Sequence, residues 1–188
     1  MYKRQLLDHP VFKLVAENAT FDESLWEQEP PGIIDSRPES QQECESEMTD
    51  EQEEELWESV EVVMDRLKFK KVQSSKRRIA AIVKEIEEAK KNNKLDDDET
   101  VELAYELGYT FGQMLCWDFD WEWCNVETDG EDVFCVCSPD RGVALEPVDW
   151  VYELITEPKR TNNCELLWNM ISAGRMPPSR PYSYSEIG

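Results

Sequence analysis

Apolar spacing along this chain changes once, just past Cys116, and that change constrains the fold more than any other feature. Upstream, apolar residues recur every three or four positions. From Trp117 to Trp123 they alternate strictly, with Trp117, Phe119, Trp121 and Trp123 set against Asp118, Asp120 and Glu122. A period near 3.6 belongs to a helix with one buried face, and a period of two to a half-buried strand. Helices, then a short run of strands, then further helices predict an α+β domain: helices packed on a small antiparallel β-sheet of about three strands.

The helical stripes carry their own boundaries. Thr49 with Gln52 three residues on forms a capping box, followed by Leu56, Val60, Val63, Met64 and Leu67 at helical spacing. Ser74 or Ser75 caps a second helix with Ile79, Ile82, Val83, Ile86 and Ala89, and Asp96 to Asp98 open a third through Val101, Ala104, Leu107, Phe111 and Leu115. Gly108 and Gly112 share one face of that helix, where each costs up to about 1 kcal/mol of propensity relative to Ala. Tight packing against the sheet or the first helix is the expected return. Asp129-Gly130 marks a hairpin turn before a second strand over 133–137, and 143–145 makes a third. Pro147 begins a helix carrying Val148, Trp150, Val151, Leu154 and Ile155, and a last helix over 163–172 is expected to bury Leu166, Leu167, Met170 and Ile171.

Composition sets the flanks. Residues 1–26 read as an N-terminal arm with a short helical stripe over 8–19. Residues 27–48, with Pro30-Pro31-Gly32, Pro38 and clustered glutamates, read as an acidic flexible linker that buries too little apolar surface to offset its ordering entropy. The compact α+β domain is expected over 49–173, and 174–188 is a Pro/Ser/Tyr tail expected to be extended and mobile.

Charge is the strongest functional signal. Residues 66–94 hold eleven Lys and Arg against three Glu, about +8, so the remainder carries about −30 to reach the net −22. Eleven Lys against nine Arg shows no lysine depletion of the kind salt adaptation brings. Such acidity repels polyphosphate, so neither nucleic acid nor an anionic membrane is an expected partner; a basic protein is. The opening residues lack a signal-peptide core because Asp8 and His9 interrupt the apolar run, no segment is long enough to span a bilayer, and the six cysteines lack a secreted disulfide spacing. A reduced, cytoplasmic protein without cofactor is the expectation.

Five constellations bear on chemistry. Asp118, Asp120 and Glu122, on one strand face about 7 Å apart, read either as acid, base or Mg²⁺ and Ca²⁺ ligands, or as the solvent face of an amphipathic strand. Cys124, Cys135 and Cys137, with Cys116 or Cys164, read as zinc thiolates or as small buried apolar residues. His9 is the only histidine, which removes the usual base of a Ser or Cys hydrolase. The row from Trp117 to Trp123 is a core face or a ligand platform. The basic run Lys68, Lys70, Lys71, Lys76, Arg77 and Arg78 lacks the exposed aromatics of a nucleic-acid site, and the linker glutamates Glu39, Glu43, Glu45 and Glu47 can fold back over it.

Residues 95–172 carry Leu107-Gly108-Tyr109-Thr110-Phe111-Gly112 at the end of a helix, Trp121-Glu122-Trp123 in a hairpin, a Pro147-Val148 step into a helix, and a closing amphipathic helix. In these features the region resembles a small uncharacterised bacterial α+β domain family of accessory and immunity-like proteins. The resemblance implies binding and neutralisation of a partner, and it implies no catalytic residues.

Together these readings predict a non-catalytic acidic protein-binding module, of immunity or inhibitor type, for a basic partner such as a toxin or nuclease. Asp118, Asp120, Glu122, Asp129, Glu131 and Asp132 are its expected contact residues. The competing expectations are a metal-dependent enzyme using Asp118, Asp120 and Glu122, and a regulatory adaptor acting through its tails.

Overall fold

The computed structural model describes residues 44–69, 74–92, 95–128, 130–157, 159–160 and 163–186. Five helices pack on one small sheet, so the α+β class read from the sequence is the class observed. The arm over 1–26, with its helical stripe, and most of the linker lie outside the described residues, which all belong to one unit spanning 37–188.

In chain order the elements are β1 (Glu45–Ser46), α1 (Asp50–Arg66), α2 (Ser75–Asn92), α3 (Asp97–Phe119), β2 (Glu122–Thr128), β3 (Glu131–Cys137), β4 (Val143–Leu145), α4 (Pro147–Thr156), α5 (Cys164–Ser172) and β5 (Ser185–Glu186). Helices α1, α3 and α5 start where their capping chemistry dictates, whereas the hydroxyl of Ser75, at the start of α2, donates to Asp118. The Gln52 N–H donates to Thr49 Oγ1 at 3.2 Å while the Thr49 N–H donates to Gln52 Oε1 at 2.9 Å, a full capping box. A second box forms between Asp96 and Glu99 at the start of α3. Asn163 caps α5 by accepting from the Leu166 N–H at 2.8 Å.

Helix α3 is the hub, packing against α1, α2, α4 and α5. Its Leu107, Phe111, Met114 and Leu115 are fully buried with Ile79 and Ile82 of α2, Val136 of β3, and Trp150 and Val151 of α4. Phe111 meets Trp150 edge to face at 6.3 Å, and Trp123 of β2 stacks on Phe134 of β3 at 4.8 Å, pairs contributing about 0.5–1.5 kcal/mol each beyond area burial. The two glycines do what their cost implied: Gly112 packs against Trp123 of the sheet, as expected, and Gly108 against the start of α4. A Cβ on Gly108 would sit 2.7 Å from the Pro147 carbonyl oxygen and the Val148 Cα, and one on Gly112 would strike the Trp123 ring.

The sheet order is β1-β2-β3-β4-β5, antiparallel throughout β1 to β4, with β5 parallel to β4. The expected three strands are β2, β3 and β4. The two short additions come from segments expected to be flexible: Glu45–Ser46 of the linker pairs with Asn125 and Val126, and Ser185–Glu186 of the tail pairs with Val143 and Ala144. The tail is therefore fastened at its end. The Tyr184 N–H donates to the Arg141 carbonyl at 3.0 Å and the Ser183 hydroxyl to the Gly142 carbonyl at 2.9 Å.

The expected strand over 117–123 is corrected in its first half. Helix α3 continues to Phe119 and stops at Asp120, which adopts a left-handed backbone with φ 57°, a conformation that Asp tolerates better than most residues. Trp117 is accordingly on a helix and 45% exposed, whereas Trp121 is buried and Trp123 half-buried. In α5, Leu166 is exposed, and Cys164 and Leu167 are the residues fully buried there.

Candidate partner-binding surface and a buried thiol cluster

Of the six carboxylates expected to contact a partner, the five among the described residues are spread over the end of α3 and the strands β2 and β3. Asp118, in the last turn of α3, accepts from Ser75 Oγ at 2.7 Å and from Trp168 Nε1 at 3.0 Å, which ties the start of α2 and the middle of α5 to the end of α3. Asp120 closes the helix. Glu122 pairs with Arg141. The trio on a single strand face is thereby overturned, because two of its members precede the strand and the third is held by a guanidinium. Asp129 lies outside the described residues, and Glu131 and Asp132 stand exposed at the start of β3. There Asp132 sits directly across from Glu127, a like-charged pair that weakens a hairpin.

An exposed acidic face lies instead on helix α1, outside the expected contact residues. Helix α1 carries Asp50, Glu51, Glu53, Glu54, Glu55, Glu58, Glu61 and Asp65 against one cation, Arg66. Arg66 is committed inward, to Glu85 of α2 at 2.8 Å and Glu106 of α3 at 2.5 Å. No Lys or Arg among the described residues pairs with Glu51, Glu54, Glu58 or Glu61. Glu54 and Glu58 stand at i, i+4, Glu58 and Glu61 at i, i+3, and Glu61 and Asp65 again at i, i+4; each such like pair costs a helix about 0.2–0.5 kcal/mol. Only the first turn gains from the helix dipole. Glu55 is different, since its carboxylate lies close enough to the Tyr109 phenol to raise it, together with burial, which is the larger cause.

Aromatic surface borders this face. Trp57 of α1 approaches the exposed Trp117 of α3, with ring centroids 6.5 Å apart, and Glu53, Glu54 and Glu61 lie one turn away from Trp57 on its own helix. The sequence signal was available: Glu54, Glu58 and Glu61 fall on the polar side of the Leu56, Val60, Val63 stripe. The basic run resolves only in part, since Lys70 and Lys71 lie outside the described residues, and Arg78 stacks over Phe69 at 6.0 Å. Of the linker glutamates expected to cover it, Glu39 and Glu43 also lie outside, and Glu45 turns to Arg141 instead.

That contact belongs to a half-buried polar knot around the turn between β3 and β4. Arg141, itself in a left-handed conformation with φ 56°, donates from Nε and Nη2 to the two oxygens of Glu45 at 3.1 Å each. Burial pulls its pKa down, and the Glu45 and Glu122 carboxylates overcome that and raise it. Asp140 beside it accepts from Ser138 Oγ at 2.7 Å and the Gly142 N–H at 3.0 Å, which hold its carboxyl below the usual range.

The cysteines divide cleanly. All six are thiols. Cys116 and Cys164 are separate, both pushed up to about 12 by burial. Cys124, Cys135 and Cys137 converge: Cys124 and Cys137 Sγ lie 3.2 Å apart, and Cys135 and Cys137 Sγ 3.7 Å. Within this trio the Cys124 thiol is lowered, because its thiolate can accept hydrogen bonds from Cys135 and Cys137, and the same interactions raise the other two thiols. A cavity of about 170 Å³ opens beside them, lined by Cys135, Val126, Ala144, Glu146, Trp150 and Tyr184 among others.

The fold and this surface define an acidic α+β domain. No family model, curated protein or solved structure matches the chain. Among the described residues no helix is long and apolar enough to cross a membrane.

Proposed function

We propose that this protein is a non-catalytic recognition module whose acidic α1 face captures a basic protein, neutralising it in the manner of an immunity protein or inhibitor. One observation carries this reading: α1 holds Glu54, Glu58, Glu61 and Asp65 in destabilising like-charge succession with no cation paired to the three glutamates among the described residues. A helix kept for stability alone would gain from a Lys at one of these positions. A helix kept for encounter gains from the uncompensated field, which raises association rates by about 10- to 1,000-fold at low ionic strength. Trp117 and Trp57 supply the apolar anchor next to it, the residue type that dominates interface energetics. A toxin or nuclease is the kind of partner whose cationic groove such a face would occlude.

Affinity capture from the native lysate at low ionic strength tests this, with wild type beside a Glu54→Gln, Glu58→Gln, Glu61→Gln variant. Wild type is expected to retain a strongly basic protein that the variant releases. Equal retention by both, or turnover of a small molecule by the purified chain, contradicts the proposal.

A further inference from the structure

The thiol trio lies apart from the acidic face and calls for its own explanation. Cys124 on β2 stands directly opposite Cys135 on β3, and Cys137 follows two residues later, so the period of two sends all three sulfurs to the same side of the sheet. Trp123, Phe134 and Val136 take the other side, toward α1 and α3. The three Sγ atoms all fall within 4.8 Å of one another, with two edges of 3.2 and 3.7 Å. Zinc–thiolate bonds of about 2.3 Å in tetrahedral geometry place sulfurs about 3.8 Å apart, so this triangle is close to a ligand set.

Two plainer accounts fall short. Apolar packing explains why each cysteine is buried, but Ala or Val would fill the same sites, and nothing in packing gathers three sulfurs around one point. A disulfide needs an S–S distance of about 2.05 Å and uses two sulfurs, leaving the third over. A metal uses all three, and soft thiolates select thiophilic ions over magnesium or calcium.

We propose that Cys124, Cys135 and Cys137 form a three-thiolate zinc site whose fourth position faces the cavity and takes water. Cys135 lines that cavity, which gives the ion and its fourth ligand a way in. Three thiolates and Zn²⁺ sum to −1. The ion would tie β2 to β3 beneath Tyr184, which packs on these cysteines. Binding then stabilises the folded sheet and the tail fastened to it by mass action.

The full-length chain, kept reduced with a phosphine, is titrated with Co²⁺ and then Zn²⁺. One Co²⁺ per chain is expected, with near-ultraviolet sulfur-to-cobalt charge transfer that one Zn²⁺ abolishes, and with a rise in Tm on Zn²⁺ addition. Cys135→Ser is expected to lose most of the charge-transfer intensity, and Cys116→Ser to keep it. Absence of metal uptake by reduced wild type overturns the proposal, as does a band indifferent to Cys135→Ser. The wild-type titration is decisive by itself should Cys135→Ser fail to fold.

Discussion

Tyr184 donates its phenolic hydrogen to Glu45 at 2.6 Å, joining residues 139 positions apart in the chain. Glu45 lies in edge strand β1 and Tyr184 immediately precedes edge strand β5, at opposite ends of the sheet order, and Arg141 donates to the same carboxylate. Burial and the Glu45 carboxylate both raise the Tyr184 phenol, so the hydroxyl stays protonated and donating across the working pH range.

A double-mutant cycle on Tyr184→Phe and Glu45→Gln is therefore expected to return a coupling energy of about 1–2 kcal/mol in denaturant unfolding. The single Tyr184→Phe change is expected to raise hydrogen exchange at the Tyr184 and Ser185 amides, which bond to the Arg141 and Gly142 carbonyls. Additive effects and unchanged exchange would show a tail held independently of Glu45.

Gly108→Ala normally favours a helix by up to about 1 kcal/mol. Here the added methyl meets the Pro147 carbonyl and the Val148 backbone, neither of which can rotate away. Thermal unfolding is expected to show a net loss of about 1–3 kcal/mol, the usual range for overpacking. A stabilised variant would mean that α3 and α4 can separate freely.

The Ser138 hydroxyl and the Gly142 N–H depress the Asp140 pKa in the folded state. Its folded value lies below its unfolded one, so its contribution is fully present above the unfolded value of about 3.9 and lost as pH falls through the folded value. Asp140→Asn is expected to remove that acid-limb component from stability measured against pH, leaving the neutral region with a smaller change. An identical acid limb in the variant would contradict the bonding of this turn.

Helices with caps and wide apolar stripes were readable because local and tertiary preferences agree, as at Thr49 with Gln52 and at Ile79, Ile82 and Ile86. Residues 117–119 misled because a short run satisfies two periods at once: Phe111, Leu115 and Phe119 continue the helical row while Trp117 and Phe119 alternate. Packing against Trp168 and the bonds from Ser75 and Trp168 to Asp118 decide for helix, and those partners are 43 and 50 residues away. Strands β1 and β5, two residues each, are too short to show any period and exist through backbone pairing. The acidic face on α1 was legible as charge but was overlooked in favour of the misplaced strand. The convergence of Cys124, Cys135 and Cys137 needed the hairpin register, which fixes which residues share a face.

The most direct measurement is the association rate constant with the captured basic partner, taken across ionic strength for wild type and for the Glu54→Gln, Glu58→Gln, Glu61→Gln variant. Wild type is expected to associate at least about tenfold faster at low salt, with the difference closing as salt screens the field, while the variant unfolds at the same or a higher temperature. Equal rates at low salt, with no dependence on ionic strength, would contradict recognition through the α1 face.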